Sequence, residues 1–261
     1  MKYYYVVGSS ASKSLSPLIF NYWFKKYNIN AKYSYIEVDN KNFDKEIVSK
    51  INNKKTFGLN ITIPYKKKIM KHLDAVNKHS KKIRAVNCVT IGKKNKGINT
   101  DWVGYLKLIK KEKINKEKKI IIMGYGGAAQ AVFYSLHVSG FKNIIVFNRT
   151  KRAIRFDGVS KYTKNYLLID KHLEEAGLVI NTTPTNPIKK KQAKLIKKET
   201  ILSDIVYKPK NTIFLRGFKQ NKKIYGISML LEQAIPCFKH WFGFDPKIDK
   251  ALIRKIDNKI K

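Results

Sequence analysis

Apolar runs bounded by turn residues alternate along this chain with segments of helical period. YYYVVG (3–8) predicts a strand closing on glycine. Ser16 and Pro17 then predict a helix start, an N-cap followed by proline at the first helical position, with LIFNYWFKKYN supplying a broad apolar face. YSYIEV (33–38) reads as a strand, NFDKEIVSKI as a helix, and GLNITIP (58–64) as a strand closed by proline. KKIIIMG (118–124) is a buried strand, AAQAVFYSLHVSG a helix with a glycine stop, and NIIVFN (143–148) another buried strand. The alternation resumes through GLVINTTP and TILSDIVY. Such a pattern predicts an α/β protein with parallel sheets and crossover helices. No internal repeat or low-complexity linker interrupts it, and the lysine-rich KKEKINKEKK (110–119) is the predicted connection between domains.

With 261 residues, 43% of them apolar, the chain can build one large or two modest domains around a real core. No apolar run reaches the roughly eighteen residues of a membrane span, and MKYYYVVGSS is too short and polar for a signal peptide, so a cytoplasmic protein is expected. Cys88 and Cys237 lie far apart without metal-ligand spacing; they predict small buried side chains in a reduced compartment and no metal site. The formal net charge of +37 invites a nucleic-acid or membrane reading, yet the basic residues are scattered through every segment. Arginine occurs only at 84, 149, 152, 155, 216 and 254, whereas a base reader would cluster its charge and favour arginine. The expectation is therefore no specific nucleic acid and no membrane partner, but an attraction for anions that includes phosphorylated cofactors and weak RNA binding.

IIIMGYGGAAQAV sets Gly124, Gly126 and Ala129 in the G-x-G-x-x-G/A spacing, directly after a strand and opening a helix. The turn Gly124, Tyr125, Gly126, Gly127 and Ala128 is thus a candidate dinucleotide site, with helix N–H donors for a pyrophosphate. Where an NAD binder carries an acid at the end of the next strand, this chain has Asn148, Arg149 and Thr150, followed by Lys151 and Arg152. A guanidinium there pairs with a 2′-phosphate, which makes NADP the expected cofactor.

Beside this site stand SKSLSP (12–17), GLNITIPYK (58–66), AVNCV (85–89) and GINTDWVGY (97–105). GYGGAA (124–129), NRT (148–150), INTTP (180–184), DIVYKP (204–209) and GISMLLEQA (226–234) follow. In this order, over nearly the whole chain, they resemble the shikimate dehydrogenase family. The resemblance implies reversible NADPH-dependent reduction of 3-dehydroshikimate to shikimate, by a monomer or homodimer. It implies two α/β domains: a substrate domain, 1–105 completed by helices of 229–261, and a Rossmann-type NADP domain, 106–228. The family's N-x-T-x-P-x-K lysine corresponds to Lys66, and its aspartate partner to Asp101, which implies that these two are catalytic. Ser14 and Ser16 match the carboxylate-binding S-x-S, and Asn60, Thr62, Asn87, Tyr207 and Gln233 match other substrate contacts. Ile205 and Gly226 fall at cofactor positions, Ile205 replacing a methionine. Further departures are Lys13 and Phe20 in place of histidines, and Gln130 in place of an arginine after the glycine turn.

An ammonium can stabilise and protonate the alkoxide left by hydride addition to a ketone, and a carboxylate beside it favours the charged form. Lys67 and Lys68 have no such role in the motif. A quinate/shikimate dehydrogenase using both NAD and NADP, a methylenetetrahydrofolate dehydrogenase and a basic nucleic-acid-binding module without activity are the rival readings. The S-x-S and Tyr/Gln substrate set does not suit a pterin, and the intact Lys66, Asp101 and glycine turn speak against lost activity.

Overall fold

The computed structural model describes residues 1–156 and 158–260, in two compact units. The first comprises Met1–Thr100 and Gln233–Lys259, the second Asp101–Glu232 with Ile260. The lysine-rich 110–119 stretch lies inside the second unit rather than between the two.

In the first unit the elements run β1 (Lys2–Gly8), α1 (Ser16–Lys26), β2 (Ala31–Glu37), α2 (Phe43–Asn52) and β3 (Thr56–Ile61). β4 (Ala75–Val76), α3 (Lys78–Ile83), β5 (Cys88–Thr90) and β6 (Lys96–Ile98) follow. The sheet order is β2-β1-β3-β5-β6-β4. β1 pairs in parallel with β2 and β3, whereas β5 is antiparallel to both β3 and β6. The sheet is therefore mixed, not purely parallel as the alternation predicted. The 91–95 link is too short for a crossover helix, and only an antiparallel return fits it.

One core of this unit joins Val7, Phe43, Ile47, Leu59, Ile61, Tyr65 and Val89. Another is aromatic. Phe20 stacks on Tyr33 with ring centroids 4.6 Å apart, and Tyr4 meets Trp241 at 4.7 Å. Phe20, which departs from the family's histidine, is thus a fully buried core residue.

Two local expectations are corrected. Ser16 is the first residue of α1, not its cap; Leu15 holds the cap position and no side chain caps the helix. Ser14 Oγ instead accepts the Ser16 N–H at 3.2 Å, which starts the turn before Ser16 is reached. The strand predicted over 58–64 ends at Ile61, because Thr62–Tyr65 turns around the cis Ile63–Pro64 bond with the Tyr65 N–H donating to the Thr62 carbonyl at 2.9 Å. Proline has no N–H to continue a ladder.

The second unit contains α4 (Asp101–Lys111), β7 (Lys119–Met123), α5 (Gly127–Val138), β8 (Ile144–Phe147), β9 (Ala153–Phe156) and β10 (Val159–Tyr162). α6 (Asp170–Leu173), β11 (Ala176–Asn181), α7 (Lys190–Ala193), β12 (Ile201–Asp204), α8 (Ile213–Arg216) and β13 (Lys223–Ile224) follow. α9 (Gly226–Phe242) begins in this unit and passes into the first at Gln233; α10 (Lys250–Asp257) lies wholly in the first. Pro236 removes the helical bond that the Glu232 carbonyl would accept, beside that boundary. β13-β12-β11-β7-β8 form a sheet whose pairs are all parallel. Apolar clusters cover both faces, and for that reason β7 reads as an unbroken apolar run. The antiparallel β9–β10 hairpin beside this sheet had no counterpart in the periodicity.

Gly58 gives a test of the packing between β3 and α9. A Cβ there would meet the Trp241 ring at 2.6 Å, and that ring is held by its N–H donating to the Val89 carbonyl at 3.1 Å. Gly58→Ala is expected to destabilise the protein by about 1–3 kcal/mol, as overpacking does. Gly92→Ala, with nothing within 4 Å, should stay within about 0.5 kcal/mol in the same urea titration.

Candidate active site

β1, β3 and β6 of the first sheet point one way and β5 the other, so the carboxyl ends of the first three and the amino end of β5 share an edge. Ser14 and Ser16 follow β1, Asn60 to Lys66 close β3, Asn87 precedes β5, and Thr100 follows β6. Asn60 is buried there. Its Oδ1 accepts from the Tyr33 hydroxyl at 2.6 Å, and its Nδ2 donates to the Asn87 carbonyl at 2.9 Å and to Cys237 Sγ at 3.1 Å. The Asn87 Oδ1 accepts the Thr100 N–H at 2.7 Å, while Nδ2 donates to Thr100 Oγ1 at 2.9 Å and Gln233 Oε1 at 3.2 Å. Asn60, Asn87, Thr100 and Gln233 thus form one buried polar network.

Ser14 and Ser16 form a separate pair, with the Ser14 hydroxyl donating to Ser16 Oγ at 3.2 Å. The loop before them is tied to β2, because the Ser12 N–H and hydroxyl both donate to Glu37 Oε2. Those bonds hold the Glu37 carboxyl below its ordinary range. Thr62 N–H donates to the Val7 carbonyl at 2.9 Å, and the Lys66 carbonyl accepts the Val86 N–H at 2.8 Å. The lysine run is sorted by its surroundings. Lys66 is half-buried and Lys67 exposed, whereas Lys68 donates to the Asn40 carbonyl at 2.9 Å, pairs with Asp44 at 3.2 Å and lies over the Phe43 ring. Asp101 follows Thr100 in the chain and opens α4 in the second unit, its side chain buried.

In the second sheet β8 lies on one side of β7 and β11 on the other, so the strand order reverses at β7. Ligands of parallel α/β sheets bind outside the carboxyl ends at such a point. Gly124, Tyr125 and Gly126 form the turn there. Gly124 has φ +96°, and a Cβ on it would lie 2.6 Å from Thr182 Oγ1. Gly126 occupies the cap position of α5 with open space where its Cβ would point, and no side chain caps the helix. Gly127 and Ala128 open the helix, and Ala129 is buried in the core behind it. This bare helix terminus with space before it fits a pyrophosphate.

After β8, Asn148 Nδ2 donates to the Thr150 carbonyl at 2.8 Å, and Thr163 braces the turn by accepting the Arg152 N–H at 2.9 Å. The side chains of Arg149, Thr150, Lys151 and Arg152 are all exposed. Ile205 N–H donates to the Asn181 carbonyl at 3.0 Å, and Tyr207 precedes the cis Lys208–Pro209 bond. A Cβ on Gly226 would lie 2.4 Å from the Val206 carbonyl oxygen, so any side chain there would displace the backbone that carries Ile205 and Tyr207.

Several residues around these sites escaped the sequence reading. Asn181 Nδ2 donates to Asp204 Oδ2 at 3.2 Å, and Thr212 and the Val206 N–H donate to the same carboxyl. Burial raises the Asp204 carboxyl while these donors oppose the rise. Thr182 Oγ1 donates to the Met123 carbonyl at 2.6 Å, directly before Gly124. The polar run NTT after a buried strand was the available signal. Tyr166 is pushed up to about 12 mainly by burial, with the Gly124 backbone and the Arg149 charge opposing it, and so belongs to the same turn. Nothing local marked Tyr33 or Tyr166. Among the described residues, no three His, Cys, Asp or Glu side chains gather as a metal site. Among them, too, no helix is long and apolar enough to cross a membrane.

A parallel sheet with a glycine turn and bare helix terminus at its switch point is the architecture of a dinucleotide-dependent dehydrogenase. Family models match residues 6–89, as a shikimate dehydrogenase substrate binding domain, and 107–212, as a shikimate/quinate 5-dehydrogenase. The chain belongs to the shikimate dehydrogenase family. It is 34% identical to a shikimate dehydrogenase (NADP(+)) of Clostridium perfringens, over 100% of this chain and 99% of that protein. The crystal structure of the Aquifex aeolicus shikimate dehydrogenase aligns with TM-score 0.85 and 31% identity, covering 98% of this chain and 97% of the other. The Thermus thermophilus enzyme in complex with NADP(H) and shikimate aligns with TM-score 0.82 and 26% identity over 100% of both.

The two glycines of the turn should separate in a denaturation experiment. Gly124→Ala combines a positive φ with a close approach to Thr182 and is expected to cost about 1–3 kcal/mol. Gly126→Ala meets open space and should lose only the poorer cap that alanine makes, about 1 kcal/mol or less. Equal losses would show that the turn's geometry does not depend on Gly124.

Proposed function

We propose that this chain catalyses the reversible NADPH-dependent reduction of 3-dehydroshikimate to shikimate, with Lys66 and Asp101 as its catalytic pair. The observation that carries this reading is the buried Asn60–Asn87–Thr100–Gln233 network, which lies at the same sheet edge as Lys66 and the Ser14–Ser16 pair. The substrate offers a carboxylate, hydroxyls and a ring ketone. Ser14 and Ser16 hydroxyls suit the carboxylate; Asn60, Thr62, Asn87, Tyr207 and Gln233 suit the hydroxyls and ring. Of these substrate residues all but Tyr207 stand in the first unit, and cofactor binding is assigned to the second, with Gly124 to Ala128 at the pyrophosphate and Ile205 and Gly226 near the nicotinamide.

Bound NADPH supplies the hydride. The Lys66 ammonium stabilises the alkoxide that forms on the former ketone oxygen and transfers a proton to it. Asp101, the match to the family's partner for that lysine, is assigned to orienting it. In the reverse direction the same lysine takes the hydroxyl proton.

Arg149, with Lys151 and Arg152 beside it, suits the 2′-phosphate, because the exposed guanidinium faces no competing acid in the turn 148–152. A second reading, use of NAD as well, is favoured by one neighbour, a Listeria monocytogenes shikimate 5-dehydrogenase solved with shikimate and NAD. The reaction is assigned to the cytoplasm, in keeping with reduced Cys88 and Cys237, and to a monomer or homodimer without specific nucleic-acid or membrane partners.

Steady-state shikimate oxidation tests these roles. Lys66→Ala should lower kcat by about two to four orders of magnitude. Lys67→Ala should leave kcat unchanged, and Lys68→Ala should lower stability through its lost Asp44 and Phe43 contacts without lowering kcat. Near-normal kcat in Lys66→Ala would overturn the assignment. In the same assay the unmodified protein should prefer NADP+ to NAD+ by at least about tenfold in kcat/KM, the worth of one charged hydrogen bond. Arg149→Ala should remove most of that preference, and equal use of both cofactors by the unmodified protein would support the dual reading.

A further inference from the structure

Cys88 begins β5 and Cys237 lies on α9, yet the Cys237 thiol donates to Cys88 Sγ at only 3.0 Å. Both are reduced and fully buried, with no exposed surface on either. The Cys237 sulfur also accepts from Asn60 Nδ2 at 3.1 Å, so the thiol pair belongs to the same chain of hydrogen bonds as the Tyr33 hydroxyl. Bonded sulfurs lie about 2.05 Å apart, so closing the pair requires a movement of roughly 1 Å. Cys88 is also the partner of Asn60 across the β3–β5 ladder, so closing the pair changes the surroundings of the Asn60 amide.

We propose that Cys88 and Cys237 form a thiol–disulfide site, oxidised by hydrogen peroxide, whose closure disturbs the Asn60–Cys237 contact and weakens substrate binding. The second half of this proposal rests on the assignment of Asn60 to the substrate. In the oxidation one thiolate attacks a peroxide oxygen, breaking the O–O bond and giving a sulfenic acid and one water once protons are balanced. The other sulfur then attacks the sulfenic sulfur, losing its proton and expelling a second water. Two S–H bonds and one O–O bond are exchanged for the S–S bond and two waters; the thiols lose two electrons and the peroxide gains them. Because neither sulfur has exposed surface, the reaction requires an oxidant small enough to enter the core and is slower than at an exposed thiol.

The test treats the intact protein with hydrogen peroxide and compares it with the same protein under dithiothreitol. Oxidation should lower the intact mass by two hydrogens and reduce the thiols titrated after denaturation from two to none, without a cross-linked dimer on a non-reducing gel. The KM for shikimate should rise about three- to tenfold, the equivalent of about one hydrogen bond, while the KM for NADP+ stays constant and dithiothreitol reverses the change. Cys88→Ala keeps the Asn60–Cys237 contact and should hold its shikimate KM through the same treatment. Two surviving thiols, a disulfide found only between chains, or a closed disulfide with unchanged shikimate KM would each overturn the proposal. Mass and thiol count report the disulfide whatever the activity, so a reduced protein that fails to oxidise shikimate refutes the functional assignment separately.

Discussion

The carboxamide of Asn87 is the constraint on which the first unit's site depends. Thr100 is the last residue before the chain leaves that unit, and Gln233 is the first on its return; Asn87 binds both. A carboxamide offers one acceptor and a two-proton donor, and this one uses its oxygen on the Thr100 N–H and its nitrogen on Thr100 and Gln233 oxygens. Aspartate could not donate and leucine could do neither, so a substitution would strand buried polar groups at about 1–3 kcal/mol each. The Asn87 backbone carbonyl meanwhile accepts from Asn60. Residues far apart in sequence are therefore held in one arrangement before any ligand is present, which lowers the ordering cost of binding one.

The two sheets use the same geometric device for different chemistry. In each, parallel strands deliver their following loops to one edge, and the reversal of strand order opens space there. At the first sheet that edge is filled with side chains able to give and accept hydrogen bonds, which suits a small polyhydroxylated acid. At the second the key groups are backbone: Gly124 and Gly226 are positions where a Cβ would strike Thr182 or the 205–206 backbone, and Gly126 leaves the α5 terminus bare. Behind them Asn181 and Asp204, buried at adjacent strand ends, fix the loops that carry Thr183 and Val206.

What was legible in the sequence was local. G-x-G-x-x-A after an apolar run predicted the β7–turn–α5 unit, because spacing alone dictates where those glycines fall on a strand-turn-helix. N-x-T-x-P-x-K singled out Lys66 from its neighbours, and the Asp44 and Phe43 contacts of Lys68 supply an independent structural reason for that lysine. What was not legible depends on partners distant in the chain. Tyr33 looks like any strand tyrosine until Asn60 is placed beside it, and the cysteines, 149 positions apart, read as unrelated apolar residues. The Ser16 misreading has a different origin. Ser-Pro is a sound helix-start signal, but Ser14 captured the turn first by accepting the Ser16 N–H, and local propensity cannot choose between two serines each able to bond a nearby amide.

The arginine distribution bears on cofactor choice more directly than the total charge does. Lysine supplies nearly all of the basic residues, most of them exposed, and there a compact ammonium on a flexible stem serves solubility and general anion attraction. Of the six arginines, three fall at 149, 152 and 155, in and just beyond the turn that follows β8. If composition alone governed which basic residue appears, lysine would be expected at all three. A planar guanidinium differs from lysine in presenting a fixed fork to a phosphate. The turn is also held open from behind by its own backbone bonds to Thr163 and by Asn148, leaving the arginine side chains free of that work. If this turn meets the ribose, as we propose, its concentration of arginine favours a doubly charged 2′-phosphate over a hydroxyl.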